Sequence, residues 1–190
     1  MKHNFARIIS RIGHPICLLL TFLIYFFFSI QDPAKAFWTL TTIVSLGILP
    51  LIGWNLYRTR KGLYSNFDVS IRSQRSSMYL FILILSGLVL LVLWMSDQPA
   101  SVLIGCLILI QLLLFAFILN FKTKVSLHIA IAIYTGFALW EINQTFAIII
   151  WGSSPLIGWS RWYLGRHLPV ELFWGFLLGS ICGLEILYFL

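Results

Sequence analysis

Seven apolar runs, at about 15–31, 37–57, 77–96, 100–121, 125–140, 144–159 and 170–190, fill most of the chain and carry almost no charge. A helix needs about 20 residues to cross a hydrocarbon core ~30 Å thick. Most of the runs have that length, and the fifth and sixth are short. Composition points the same way: 60% of residues are hydrophobic, 10% are charged and the mean hydropathy is +0.95, where a soluble domain carries about 25% charged residues. The expected fold is all-α, a polytopic transmembrane helix bundle. Without linkers, low-complexity tracts or clear repeats, residues 1–190 read as a single integral membrane domain.

The segment 125–159 decides the topology. As one helix it would be about 50 Å long at 1.5 Å per residue, and it would hold Glu141, Asn143 and Gln144 at mid-depth. Two short crossings joined by a Glu141-Ile142-Asn143-Gln144 turn fit better, giving seven helices, with six as the alternative. The N-terminal tail, the loop 57–76, the segment around Lys122 and Lys124 and the segment 160–171 then share one side, with twelve of the thirteen Lys and Arg. Positive charge retained on that side makes it cytoplasmic. The expected location is a plasma (inner) membrane of bacterial or archaeal type, with the N-terminus and the active site facing the cytoplasm. The basic start, the apolar Pro15–Ile30 run and Ala34-Lys35-Ala36 also have the order of a signal peptide. The length and Phe content of that run, and the spans after it, favour a retained helix.

The net charge of +7 does not indicate nucleic acid, because the basic residues sit in short loops between apolar runs and not on one stripe. Cys17, Cys106 and Cys182 lie singly in apolar runs without metal-like spacing. Gly175, Gly179 and Gly183 form a small-residue stripe that admits a closely packed helix, inside the bundle or as a dimer seam; oligomeric state is left open.

Three polar groups fall on the inner side. Arg72 and Arg75, three apart, offer planar forks that suit a phosphate. Lys122, Lys124, Ser126 and His128 stand at the mouth of the fifth run, where a helix start adds backbone N–H groups. The third group, Ser160 to Glu171, holds Ser160, Arg161, His167 and Glu171. His167 and Glu171 are four apart, so one helical turn sets the carboxylate beside the imidazole. That contact fixes the tautomer and leaves the other ring nitrogen to attack or to take a proton, with His128 as acid for a leaving oxygen. Asp68 and Glu171 are the only acids on this side, too few for a Mg²⁺ site built of paired carboxylates. No cofactor or metal is expected.

The pattern Ser160-Arg161, five residues, His167, three residues, Glu171 resembles the third signature of the type 2 phosphatidic acid phosphatase superfamily. Tyr163-Leu164-Gly165-Arg166-His167-Leu168-Pro169 adds to the likeness. Ser126-Leu127-His128 resembles that family's second signature and Arg75 the arginine ending its first, so the signature-bearing core covers about 68–180. The resemblance implies a phosphohistidine formed on His167, Glu171 orienting it, His128 as acid, and Arg75, Arg161, Ser126 and Ser160 around the phosphate. Arg72 substitutes for a first-signature lysine, since Asp68 stands in its place, and Lys122 and Lys124 can add charge. Val125, Leu127, Ser76 and Glu171 depart from the family's Pro, Gly, Pro and Asp. The expected function is hydrolysis of a phosphomonoester or diphosphate lipid, phosphatidate-like or polyprenyl, without metal. A catalytically weak or inactive lipid-binding protein of the same fold is the alternative. A small anion transporter is less favoured, because few polar residues lie at mid-membrane.

Overall fold

The computed structural model describes residues 1–189, and all regular structure among them is helical. Eight helices follow in order: α1 Lys2–Ile12, α2 Pro15–Ile30, α3 Pro33–Arg60, α4 Arg72–Met95, α5 Ala100–Asn120, α6 Leu127–Trp140, α7 Gln144–Tyr163 and α8 Pro169–Phe189. Each apolar run lies in one of α2–α8. The basic N-terminal stretch supplies α1, an additional helix. By length and hydropathy α3, α4, α5 and α8 are able to cross a membrane, and α1 with α2 would pass as one span but is bent by 45°. The expected seven crossings are therefore not reached on these criteria. With 14 residues, α6 is only about 21 Å long, and α7 is diluted by Ser153, Ser154, Pro155, Ser160 and Arg161.

The segment 125–159 forms two helices. Asn143 ends the turn between them by accepting the Phe146 N–H at 2.9 Å, an ordinary N-cap.

The helices pack as two compact units: Met1–Ile30 with the chain from Lys124 onward, and Gln31–Thr123. In the second unit α3, α4 and α5 run up, down and up. Asp32 caps α3 through the Lys35 N–H at 3.0 Å. A π-turn at Val44–Ile48 precedes Pro50, whose missing N–H breaks the regular ladder. Gly47 lies in that turn, and a Cβ there would stand 3.3 Å from Val89 Cγ2, so α3 and α4 approach closely. Gln98 ties the ends, accepting from Gln31 Nε2 at 2.7 Å and donating to the Thr39 hydroxyl at 3.1 Å. At the opposite end the Arg58 guanidinium lies over the rings of Trp54 and Tyr64, 5.2 and 5.1 Å from their centroids.

In the first unit α6 is the core, buried continuously from Leu127 to Gly136. A helix apolar on all sides needs such cover, and α2, α7 and α8 supply it. The glycine stripe of α8 faces α6 in parallel register. Gly175 lies at the Ser126 carbonyl, Gly179 at the Ala130 carbonyl and Gly183 at the Phe137 ring. The return helix α7 is pinned by the Trp151 indole, which donates to the Ile133 carbonyl at 3.2 Å. Pro155 has no N–H for the Trp151 carbonyl; the Ser154 hydroxyl donates to it instead, at 2.7 Å. Far along α2, Asn143 Nδ2 donates to the Tyr25 hydroxyl at 2.8 Å, and at its start His14 lies beside His128. Consequently the start of α6, the end of α7 and the starts of α2 and α8 share one end of this unit.

Candidate functional site

The site is assembled by two terminations in succession. Helix α7 ends in a Schellman motif: Gly165 has φ +65°, its N–H donates to the Trp162 carbonyl at 2.9 Å, and the Arg166 N–H donates to the Arg161 carbonyl at 2.9 Å. The His167 N–H reaches the same carbonyl at 3.2 Å. This reversal throws His167 back over the helix end. Two residues later Pro169 opens α8, a position that tolerates its missing N–H. Glu171, third in the helix, reaches back to accept the Leu168 N–H at 3.0 Å, one half of a capping box.

The same oxygen, Glu171 Oε2, meets His167 Nδ1 at 2.9 Å and Lys124 Nζ at 3.3 Å. His167 and Glu171 are both buried, at 4% and 9% exposure. Nδ1–H donating to a carboxylate puts the lone pair of the neutral ring on Nε2. The ring so held has Nε2 as its lone-pair nitrogen, and Glu171 is placed to stabilise the imidazolium form.

Lys124 also donates to the Arg166 carbonyl at 2.8 Å, tying the approach to α6 onto the α7–α8 turn. Ser126 precedes α6, with its N–H on the Glu171 carbonyl at 3.1 Å. Its hydroxyl is fully buried and has no hydrogen-bond partner among the described residues. His128 is buried in the first turn of α6, with its ring edge-on to that of His14, centroids 5.3 Å apart. Arg161 is buried, and its Nη1 donates to the Ser10 hydroxyl at 2.6 Å. Ser160 turns back on its own helix, donating to the Ile157 carbonyl at 2.7 Å.

Of the expected residues, the first unit therefore brings together Lys124, Ser126, His128, Arg161, His167 and Glu171, with Ser160 alongside. Arg72, Arg75 and Lys122 belong to the second unit. Helix α4 does begin at Arg72, so the two arginines lie in its first turn as the spacing requires. Each guanidinium has one nitrogen on a backbone carbonyl. Arg72 Nη1 donates to the Lys122 carbonyl beyond the end of α5, and Arg75 Nε donates to the Val69 carbonyl at 3.1 Å. Val69 is buried at φ +48°, an unfavourable conformation for a β-branched residue, and Arg75 holds it there.

Sequence reasoning missed Ser10 and His14. Neither belongs to a motif, and only the Gly13-His14-Pro15 break hinted that the tail folds back. His14 Nδ1 accepts the Ile16 N–H at 3.2 Å and so opens α2. No family model, curated protein or solved structure matches this chain.

Proposed function

We propose that the protein is an integral membrane phosphatase of the type 2 phosphatidic acid phosphatase kind, hydrolysing a phosphomonoester or diphosphate on a lipid without metal. The observation that carries this reading is the buried His167–Glu171 pair, whose 2.9 Å contact directs His167 Nε2 away from the carboxylate. In the reaction His167 Nε2 attacks phosphorus, and the ester oxygen leaves with a proton from His128. Water then attacks the phosphohistidine and gives its proton to His128, which frees phosphate and restores both rings. Glu171 balances the positive charge that His167 acquires. Arg161, Lys124 and Ser126 lie at the same end of the unit and would bind the phosphate oxygens. The acids of this unit are Glu141, Glu171 and Glu185, and Glu171 stands at this end beside His167.

In this reading α2–α8 are the seven crossings, with α6 spared direct exposure to lipid by its neighbours. The site faces the cytoplasm by the distribution of basic residues. A cysteine introduced at the exposed Leu168 (62%) is expected to be shielded from an impermeant thiol reagent in intact cells. Labelling there would reverse the orientation.

The deciding assay is phosphate release from phosphatidate and polyprenyl phosphates by purified protein in detergent with EDTA. Loss of the nucleophile in His167→Ala should lower the rate on the order of 10³-fold or more; an unchanged rate would sink the mechanism. A second reading, a lipid-binding relative without turnover, draws on the engagement of Arg161 by Ser10 and of Ser160 by Ile157. It requires anionic lipid to bind with no phosphate released from any of these substrates.

A further inference from the structure

Helix α1 has no part in the proposed chemistry, yet its residues sort onto three separate faces. Ala6, Ser10 and Gly13 are buried. They lie about one turn apart in succession on the side packed on α7, where a Cβ on Gly13 would come within 2.6 Å of Ile157 Cγ1 and Ser10 meets Arg161. Phe5, Ile8 and Ile12 lie on a second side, spaced three and four apart, and are 56%, 54% and 69% exposed. Arg7 and Arg11, four apart, are exposed on a third side. At 100° per residue the centre of that basic stripe sits roughly a third of a turn from the centre of the apolar one.

Lys2, Arg7 and Arg11 make no ion pair or side-chain hydrogen bond among the described residues, and the first acid in the sequence is Asp32. The axis turns by 45° between α1 and α2, so α1 does not simply extend the apolar helix after it. An apolar stripe bordered by unpaired cations, on a helix angled away from a span, is the arrangement that lies in a bilayer interface, with the stripe in the acyl boundary and the cations among phosphates.

We infer that α1 is an interfacial helix that docks on an anionic lipid surface, inserting Phe5, Ile8 and Ile12 and placing Arg7 and Arg11 on lipid phosphates. The inference rests on the membrane part of the proposed function and not on phosphatase activity.

The test uses the full chain with its three cysteines replaced by alanine and one environment-sensitive label attached at Ile8→Cys, Asn4→Cys or Leu107→Cys. The protein is reconstituted in phosphatidylcholine vesicles with or without phosphatidylglycerol. Brominated lipid is expected to quench the labels at 8 and 107, and aqueous iodide the label at 4. In the anionic vesicles, Arg7→Gln and Arg11→Gln should each lower the docked-to-undocked ratio at position 8 about fivefold. Equal iodide access at 8 and 4, with 107 still quenched by lipid, would overturn the docking alone. A label at 8 shielded from both quenchers would mean that a second copy of the chain covers the stripe, and would overturn it too. Loss of lipid quenching at 107 would remove the membrane reading together with the inference.

Discussion

Glu171→Gln is expected to lower turnover by roughly 10²–10⁴-fold with little change in KM, the magnitude seen when a buried carboxylate that orients a catalytic histidine loses its charge. The amide still fits the space, and its oxygen is able to accept from either His167 Nδ1 or the Leu168 N–H. It cannot balance the imidazolium that forms as phosphorus is transferred, and turned around it presents N–H to Nδ1 and moves the ring proton to Nε2, where the attack must occur. Glu171→Asp separates charge from reach. Aspartate keeps the charge but is one methylene shorter, and here a single oxygen meets Leu168 N, His167 Nδ1 and Lys124 Nζ at 3.0, 2.9 and 3.3 Å. If charge governs, steady-state phosphate release by the Asp variant stays well above that of the Gln variant. The opposite order would make Glu171 a helix cap only, and would leave His167 without an orienting partner in the mechanism.

The features legible in the sequence were those set by local chemistry. Gly165 followed two residues later by His167, Pro169 and then Glu171 spells a helix stop and a helix start, and the backbone follows it. The polar Glu141–Gln144 turn separated two helices for the same reason: a continuous helix would have carried those side chains into its middle. Spacing along one helix says nothing of the partners that arrive from elsewhere in the chain. Arg72 and Arg75 are spaced to share an anion, but each found a backbone carbonyl, one beyond the end of α5 and one at the strained Val69. Helix α1 was passed over because its apolar residues are divided between faces and never form a run. Its Ser10 and His14 meet Arg161 and His128 across more than a hundred residues of chain, a pairing that no periodicity in the sequence encodes.

The glycine stripe of α8 yields the other large effect, and it depends on what each added methyl group would strike. A Cβ at Gly179 would fall 2.6 Å from the Ala130 carbonyl oxygen, and one at Gly175 2.5 Å from the Ser126 carbonyl oxygen. Both obstacles are backbone in a helix or its cap, so neither can rotate aside, and the helices must separate. Gly175→Ala and Gly179→Ala are each expected to destabilise the protein by about 3 kcal/mol, the upper range for overpacking, read as a lowered midpoint of thermal unfolding in detergent. At Gly183 the obstacle is the Phe137 side chain, met at Cδ2, at Cγ (2.6 Å) and at Cβ (2.9 Å); turning the ring leaves Cγ and Cβ in place, so a loss of the same order is expected there. Gly152→Ala in α7 is the control, with nothing within 4 Å of the added carbon, and there alanine's better helix propensity should add about 0.5–1 kcal/mol. Gly175→Ala should carry one consequence that Gly179→Ala does so less strongly. Ser126 is held to the Glu171 carbonyl at 3.1 Å, one turn from Gly175, so forcing the helices apart there pulls Ser126 and Lys124 from Glu171 and lowers activity in the molecules that remain folded. Equal specific activity in the two variants would mean that the close α6–α8 approach serves stability alone.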